Sequence, residues 1–189
     1  MFKLLMELDG NILIWLHSVL VDSGLSPIVI FITKLGDSGA IWLFLSIALL
    51  FSKKTRQIGI MSLLALLCSF IINNLVLKNL IARIRPYDVL SGVLLLIEKQ
   101  SDFSFPSGHT ASSFSVAVII FKELPLNYGI PAILLAVLIG ISRLYLGVHY
   151  PSDVLCGALF GSIIAILVRQ HFYLLKENGS LHIIDKWLK

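Results

Sequence analysis

Apolar residues in this chain come in long blocks rather than in alternation. Residues 11–21 and 25–35 are two short apolar runs parted by Asp22, Ser23 and Gly24. Each is shorter than the roughly 20 residues a helix needs to cross a bilayer. The pattern predicts either one broken span or a first segment lying in the interface as an amphipathic helix. Gly36, Asp37, Ser38 and Gly39 make a turn, where Asp37 or Ser38 is expected to cap the next helix. Residues 40–51 and 57–77 read as spans, the second carrying Asn73 and Asn74 near its end. A polar stretch, 78–109, follows and is apolar only at 89–97. Three more spans are predicted: 110–121, beginning nearer Ser107; 127–146, with Pro131 in its first turn; and 154–168, starting at Pro151. A polar tail covers 169–189. The expectation is an all-α, polytopic transmembrane helical bundle forming one domain over residues 1–189. It has six spans if the first pair crosses, or five plus an interfacial N-terminal helix.

Composition sharpens this picture. Apolar residues make up 57% of the chain and charged residues 14%, with a mean hydropathy of +0.92. So few charges cannot clothe a soluble surface of this size. The net charge is +4, but the basic residues sit at segment ends rather than along one face, so nucleic acid is not an expected partner. Lys53, Lys54, Arg56, Lys122, Arg169, Lys176, Lys186 and Lys189 fall on one side of the predicted spans. Lys78, Arg83, Arg85, Lys99 and Arg143 fall on the other. The positive-inside rule makes the first side, with the C-terminus, cytoplasmic. No secretory signal is expected, because Glu7 and Asp9 precede the first apolar stretch and no small-residue cleavage site follows it. Cys68 and Cys156 lie in apolar runs without metal spacing and read as buried packing residues. Gly157 and Gly161 form a GxxxG spacing that predicts close helix packing within the bundle. His17, His171 and His182 read as interfacial or solvated, and Trp15, Trp42 and Trp187 as interface anchors or packing residues. The last seven residues, IIDKWLK, suggest a short amphipathic helix on the inner leaflet. Asn178-Gly179-Ser180 matches a glycosylation sequon on the predicted cytoplasmic side, where it reads as chance.

Three polar clusters fall at ends of spans on the outer side: KNLIARIRP (78–86), FPSGHTAS (105–112) and SRLYLGVHYPSD (142–153). Lys78, Arg85 and Arg143 are cations able to converge on one anion. Arginine grips phosphate oxygens as a fork and lysine adds a point charge. Ser107 is placed to cap the helix after Pro106, and Gly108 allows an anion close approach to the free N–H groups there. Asp153, in the first turn of the last span, can accept a hydrogen bond from one ring nitrogen of His149. The other nitrogen is then free to attack phosphorus. His109, across the anion, can protonate the leaving oxygen and then activate water. No metal or other cofactor is expected. Asp88 and Asp102 are the only further carboxylates nearby, too few to hold magnesium. Zinc on two histidines and an aspartate is disfavoured by the surrounding cations.

These residues resemble a known family. Lys78, Arg85 and Pro86 fit KxxxxxxRP, residues 106–109 fit PSGH, and residues 142–153 fit SRxxxxxHxxxD. The chain is similar to the type 2 phosphatidic acid phosphatase (PAP2) superfamily, which also holds acid phosphatases, glucose-6-phosphatase-like enzymes and vanadium haloperoxidases. The resemblance implies a metal-independent phosphatase with His149 as nucleophile, Asp153 as its partner and His109 as acid. It assigns Lys78, Arg85, Ser107, Gly108, Arg143 and Ser142 to phosphate binding. Arg83 lies outside the motif and is not carried over. A helical core with its site at the outer face of the cell membrane is implied as well.

Charged groups at the end of a span suit a substrate whose tail stays in the bilayer while its phosphate reaches the interface. The expected partner is therefore a membrane lipid phosphate. Undecaprenyl diphosphate is favoured, because its diphosphate is released on the outer side; phosphatidate or phosphatidylglycerol phosphate is the alternative. A lipid-phosphate binding or transport protein is the reading from another class, and it would not need the two histidines. The apolar run 89–97 is expected to form one wall of the lipid entrance.

Overall fold

The computed structural model describes residues 2–21 and 24–179. Expectations for Asp22, Ser23, Ser180, His182, Trp187 and the last seven residues lie outside that range. Among the described residues nine α-helices follow in order: α1 (Phe2–Leu20), α2 (Ser26–Leu35), α3 (Ala40–Leu50), α4 (Arg56–Ser69), α5 (Lys78–Ile81), α6 (Pro86–Val89), α7 (Gly108–Glu123), α8 (Leu126–Tyr145) and α9 (Pro151–Glu177). A π-helical stretch, Phe70–Leu77, joins α4 to α5, so that Arg56–Val89 forms one long apolar element. No strand occurs among the described residues.

α7 is the central helix. It packs most extensively against α9 and α8, and also against α4. Small side chains make this possible: Ala111, Ser113, Ser115 and Ala117 are all fully buried along it. Two apolar clusters flank it. Ile58, Met61, Ala65, Ile119, Ile164 and Phe172 join α4, α7 and α9. Trp42, Val116, Ala117, Ala136 and Ile139 join α3, α7 and α8. Trp42 is a packing residue, fully buried with its indole N–H donating to Ser113 Oγ at 2.8 Å. Gly157 and Gly161 let α9 cross α7 closely, since a Cβ at Gly157 would stand 2.7 Å from Ser107 O.

The outside of the bundle is apolar. Phe44, Leu155 and Leu167 are 66%, 70% and 57% exposed. Burying backbone polar groups inside helices while turning apolar side chains outward is the arrangement a bilayer demands. Arg56–Val89, α8 and α9 are each long and apolar enough to cross a membrane, and α2 with the α3 segment forms a bent fourth candidate.

The sequence pattern offers 11–21 with 25–35 as one broken span, or the first run as an interfacial helix. Among the described residues the bent pair long and apolar enough to cross is α2 with the α3 segment, bent by 43°. The cause of the bend is the Gly36–Gly39 turn, where Ser38 and Gly39 take positive φ of 51° and 68°. Neither Asp37 nor Ser38 caps α3; Gly39 occupies that position in the left-handed region. α1 lies across the ends of the bundle. Asp9 bonds Ser152 at the start of α9, and eight residues on, His17 Nε2 donates to Leu144 O at the end of α8. His17 is thus buried rather than solvated. Trp15, on the outer face of α1, is 62% exposed, as an interface anchor would be. α9 runs nine residues beyond the predicted 168, and Pro131 falls in the second turn of α8.

Candidate active site

The corner between α8 and α9 sets the geometry. Gly147 has φ of +72°, and a Cβ there would meet Leu94 O at 2.5 Å, so only glycine fits the turn. The turn drives His149 inward, where 1% of it remains exposed. Pro151 opens α9 with its pre-set φ, and Asp153 falls in the first turn. Asp153 Oδ2 accepts the Tyr150 N–H at 3.0 Å and the Ser104 hydroxyl at 2.5 Å, and stands 3.5 Å from His149 Nδ1. Ser104 Oγ is also 3.4 Å from that nitrogen. Acceptors gathered at Nδ1 assign the proton there and leave Nε2 with its lone pair. Burial, helped by Arg85 and Arg143 and opposed by Asp153, pushes the His149 pKa down to about 3. The ring is therefore neutral at physiological pH, the form a nucleophile requires.

The cations come from three elements. Arg85 donates through Nη1 to Val148 O at 2.7 Å and through Nε to Asp102 O at 2.8 Å. Its Nη2 pairs with Asp102 Oδ1 at 2.5 Å, while the other oxygen of Asp102 takes Lys78 Nζ. Burial alone would raise the Asp102 pKa, but Lys78 and Arg85 outweigh it and hold the carboxyl at about 2. Arg143 is 1% exposed and donates from Nη1 to Thr33 Oγ1 on α2 at 2.5 Å, while its Nε has no partner. His109, in the first turn of α7, meets Asp37 Oδ1 through Nε2 at 2.9 Å. Gly36 permits this approach, because a Cβ there would stand 3.0 Å from His109 Cδ2.

These groups share one cavity of about 460 Å³. Lys78, Arg85, Asp102, Arg143, Gly108, His109 and His149 line its polar side; Leu43, Leu63, Leu66, Leu67 and Phe70 line the other. Most of the sequence-assigned residues thus converge. Ser107 and Ser142 do not reach the cavity wall. Ser107 does not cap α7: its Oγ accepts from Thr110 at 2.9 Å, and its N–H donates to Asp153 O at 3.0 Å. Ser142 turns back along α8 to Ile139 O at 2.6 Å. The 89–97 run does not line the cavity either. Val93 packs with Leu13 and Tyr150, and Leu95 to Ile97 pack against the 145–148 corner, so the apolar wall comes from α3, α4 and the π-helical stretch.

Several groups escaped the sequence reading. Asp102 was weighed only as a metal ligand, Arg83 was set aside, and Ser104 and Thr33 drew no notice. Only the closeness of Ser104 to the PSGH motif offered a signal. Among the described residues no three His, Cys, Asp or Glu side chains gather into a metal-holding group.

The cavity thus brings a buried histidine, a second histidine and three cations together at one place. The PAP2 superfamily model matches residues 59–176, more than half of the chain. This protein belongs to the PAP2 superfamily. An undecaprenyl-diphosphatase of Sulfolobus acidocaldarius is 33% identical to this PAP2 protein over 165 residues, covering 87% of this chain and 77% of that one. Phosphatidylglycerophosphatase B of Bacillus subtilis is 34% identical over 169 residues, covering 82% and 74%. The crystal structure of a transmembrane PAP2-type phosphatidylglycerolphosphate phosphatase from Bacillus subtilis has a TM-score of 0.71 at 31% identity, covering 88% of this chain and 85% of that one. This PAP2 chain is a phosphatase.

Proposed function

We propose that the protein removes phosphate from a polyprenyl diphosphate of the undecaprenyl type at the outer face of the cell membrane. The observation that carries this reading is the two-sided cavity. Leu43, Leu67 and Phe70 line it and are 43%, 55% and 51% exposed on the apolar flank of the bundle, so its wall runs into the lipid-facing surface. A lipid tail held there would bring its phosphate to Lys78, Arg85 and Arg143. The similarity to the Sulfolobus undecaprenyl-diphosphatase favours a diphosphate. The similarity to the Bacillus phosphatidylglycerophosphatase supports a second reading, phosphatidylglycerol phosphate.

In the first step His149 Nε2 bonds to phosphorus as the bond to the leaving oxygen breaks. His109 gives that oxygen a proton. In the second step His109 takes a proton from water, the water oxygen bonds to phosphorus, and the P–N bond breaks to free inorganic phosphate and neutral His149. Asp153 balances the charge on the phosphohistidine ring, and the cations stabilise the transferring phosphoryl group. Gly108 offers the backbone of the first turn of α7 to the same anion.

Five membrane passes fit the arrangement: α2 with α3, α4 with the π-helical stretch, α7, α8 and α9, with α1 in the outer interface. Lys53, Lys54, Lys122 and Arg169 then sit at the cytoplasmic end. The test is phosphate release in detergent with EDTA present, from undecaprenyl diphosphate, phosphatidate and phosphatidylglycerol phosphate. Wild type is expected to prefer the first and His149→Ala to release none. Preference for a glycerolipid would move the second reading to the front. Full activity in His149→Ala would refute the histidine mechanism.

A further inference from the structure

We propose that Arg83 and Asp9 are positioning residues of the His149–Asp153 pair, and that α1 thereby forms part of the catalytic centre; this rests on the histidine mechanism proposed above. Arg83 Nη1 donates to Asp153 Oδ1 at 2.6 Å and to Ser152 Oγ at 2.7 Å. Its Nη2 donates to Asp9 Oδ2 at 2.6 Å, and its guanidinium lies 3.8 Å from the centre of the Tyr150 ring. Asp9 also accepts the Ser152 N–H at 2.9 Å and the Ser152 hydroxyl. The three charged side chains are shielded from water, with Asp153 fully buried and those of Arg83 and Asp9 10% and 8% exposed.

The division of labour on Asp153 follows from these bonds. Arg83 occupies Oδ1, which turns the carboxylate so that Oδ2 faces Ser104, the Tyr150 N–H and His149 Nδ1. A lone arginine here would neutralise Asp153 and weaken its hold on a positively charged His149 ring. Asp9 removes that problem by sharing the guanidinium, so the cluster keeps one net negative charge beside His149. A rigid two-armed fork is needed to serve two carboxylates at once, and lysine cannot provide it. Neither Arg83 nor Asp9 lines the substrate cavity, so neither touches the phosphate.

The assay uses dioctanoyl phosphatidate in detergent micelles as substrate and orthovanadate as a phosphate-like inhibitor. Turnover by wild type and its loss in His149→Ala tests the underlying mechanism by itself. Against that baseline, Asp9→Asn and Arg83→Lys are expected to lower kcat up to about 100-fold, as displaced orienting groups do. KM and the vanadate Ki should stay within about two-fold. The double variant should lose little more than the worse single one, because the pair acts as a unit. Trp15→Ala, on the exposed face of α1, should keep wild-type kcat. The proposal is overturned if Arg83→Lys raises KM and the vanadate Ki while kcat holds, since Arg83 would then be a phosphate ligand. It is equally overturned if kcat is unchanged in both single variants, or if Trp15→Ala loses as much kcat as Asp9→Asn.

Discussion

Gly157→Ala tests how tightly the site depends on the crossing of α7 and α9. The added Cβ would stand 2.7 Å from Ser107 O and 3.2 Å from Thr110 Cβ, where ordinary contact begins at 3.4 Å. The backbones must therefore part by about 0.7 Å, the difference between 3.4 and 2.7 Å. They cannot part harmlessly, because the Ser107 N–H is bonded to Asp153 O at 3.0 Å one turn above Gly157. α7 carries Gly108 and His109, and α9 carries Asp153, so the two halves of the site would move apart. Overpacking of this kind costs about 1–3 kcal/mol, and in a chain of this size each kcal/mol lowers Tm by roughly 2–4 °C. A displacement near 1 Å can cost about 100-fold in rate. Thermal unfolding in detergent and kcat on the preferred lipid read the two effects separately. Wild-type Tm together with wild-type kcat would mean that the helices are not in contact as described, and the reasoning fails.

Two further outcomes follow from the charges. Asp102 bridges Lys78 and Arg85 as a phosphate would, so Asp102→Asn should tighten inhibition by inorganic phosphate about ten-fold, or roughly 1.4 kcal/mol; weaker inhibition would mean that Asp102 only orients the cations. The folded-state pKa of His149 lies at about 3 against an ordinary 6.5, so below about 6.5 the unfolded chain takes up a proton that the folded chain refuses. Stability should fall as pH drops from about 6.5 towards 3, by up to about 1.4 kcal/mol per pH unit from this site. Thermal unfolding between pH 7.5 and 4.5 should fall less steeply in His149→Gln than in wild type, and parallel slopes would refute the assignment.

The sequence was most legible where a residue type has few other uses. Two histidines, a carboxylate and three cations at the ends of apolar spans have little business there except around an anion, and five of these six, all but Asp153, line one cavity. Ser107 and Ser142 were harder, because a hydroxyl has many local partners, and here Thr110 and Ile139 take them. Arg83 and Asp9 were illegible for another reason. Their pairing spans 74 residues of chain, and no local spacing announces it. The helices after residue 100 followed the apolar pattern closely. So did α2 and α3, but how the N-terminal helices combine was not legible, because runs of about ten residues can lie flat, pair or bend with equal ease. The contacts of Asp9 and His17 with the ends of α8 and α9 bear on that choice, and they are tertiary.

The position of α1 also governs how the protein must be made. Asp9 leaves the ribosome before Ser152, which it holds and which follows 143 residues later. At ordinary translation rates that interval is roughly 7–30 s. Throughout it the carboxylate has no α9 to bind, and a hydrocarbon environment would charge several kcal/mol for leaving it bare. With α1 at the membrane surface, as proposed, Asp9 can wait in water until α9 arrives to meet it.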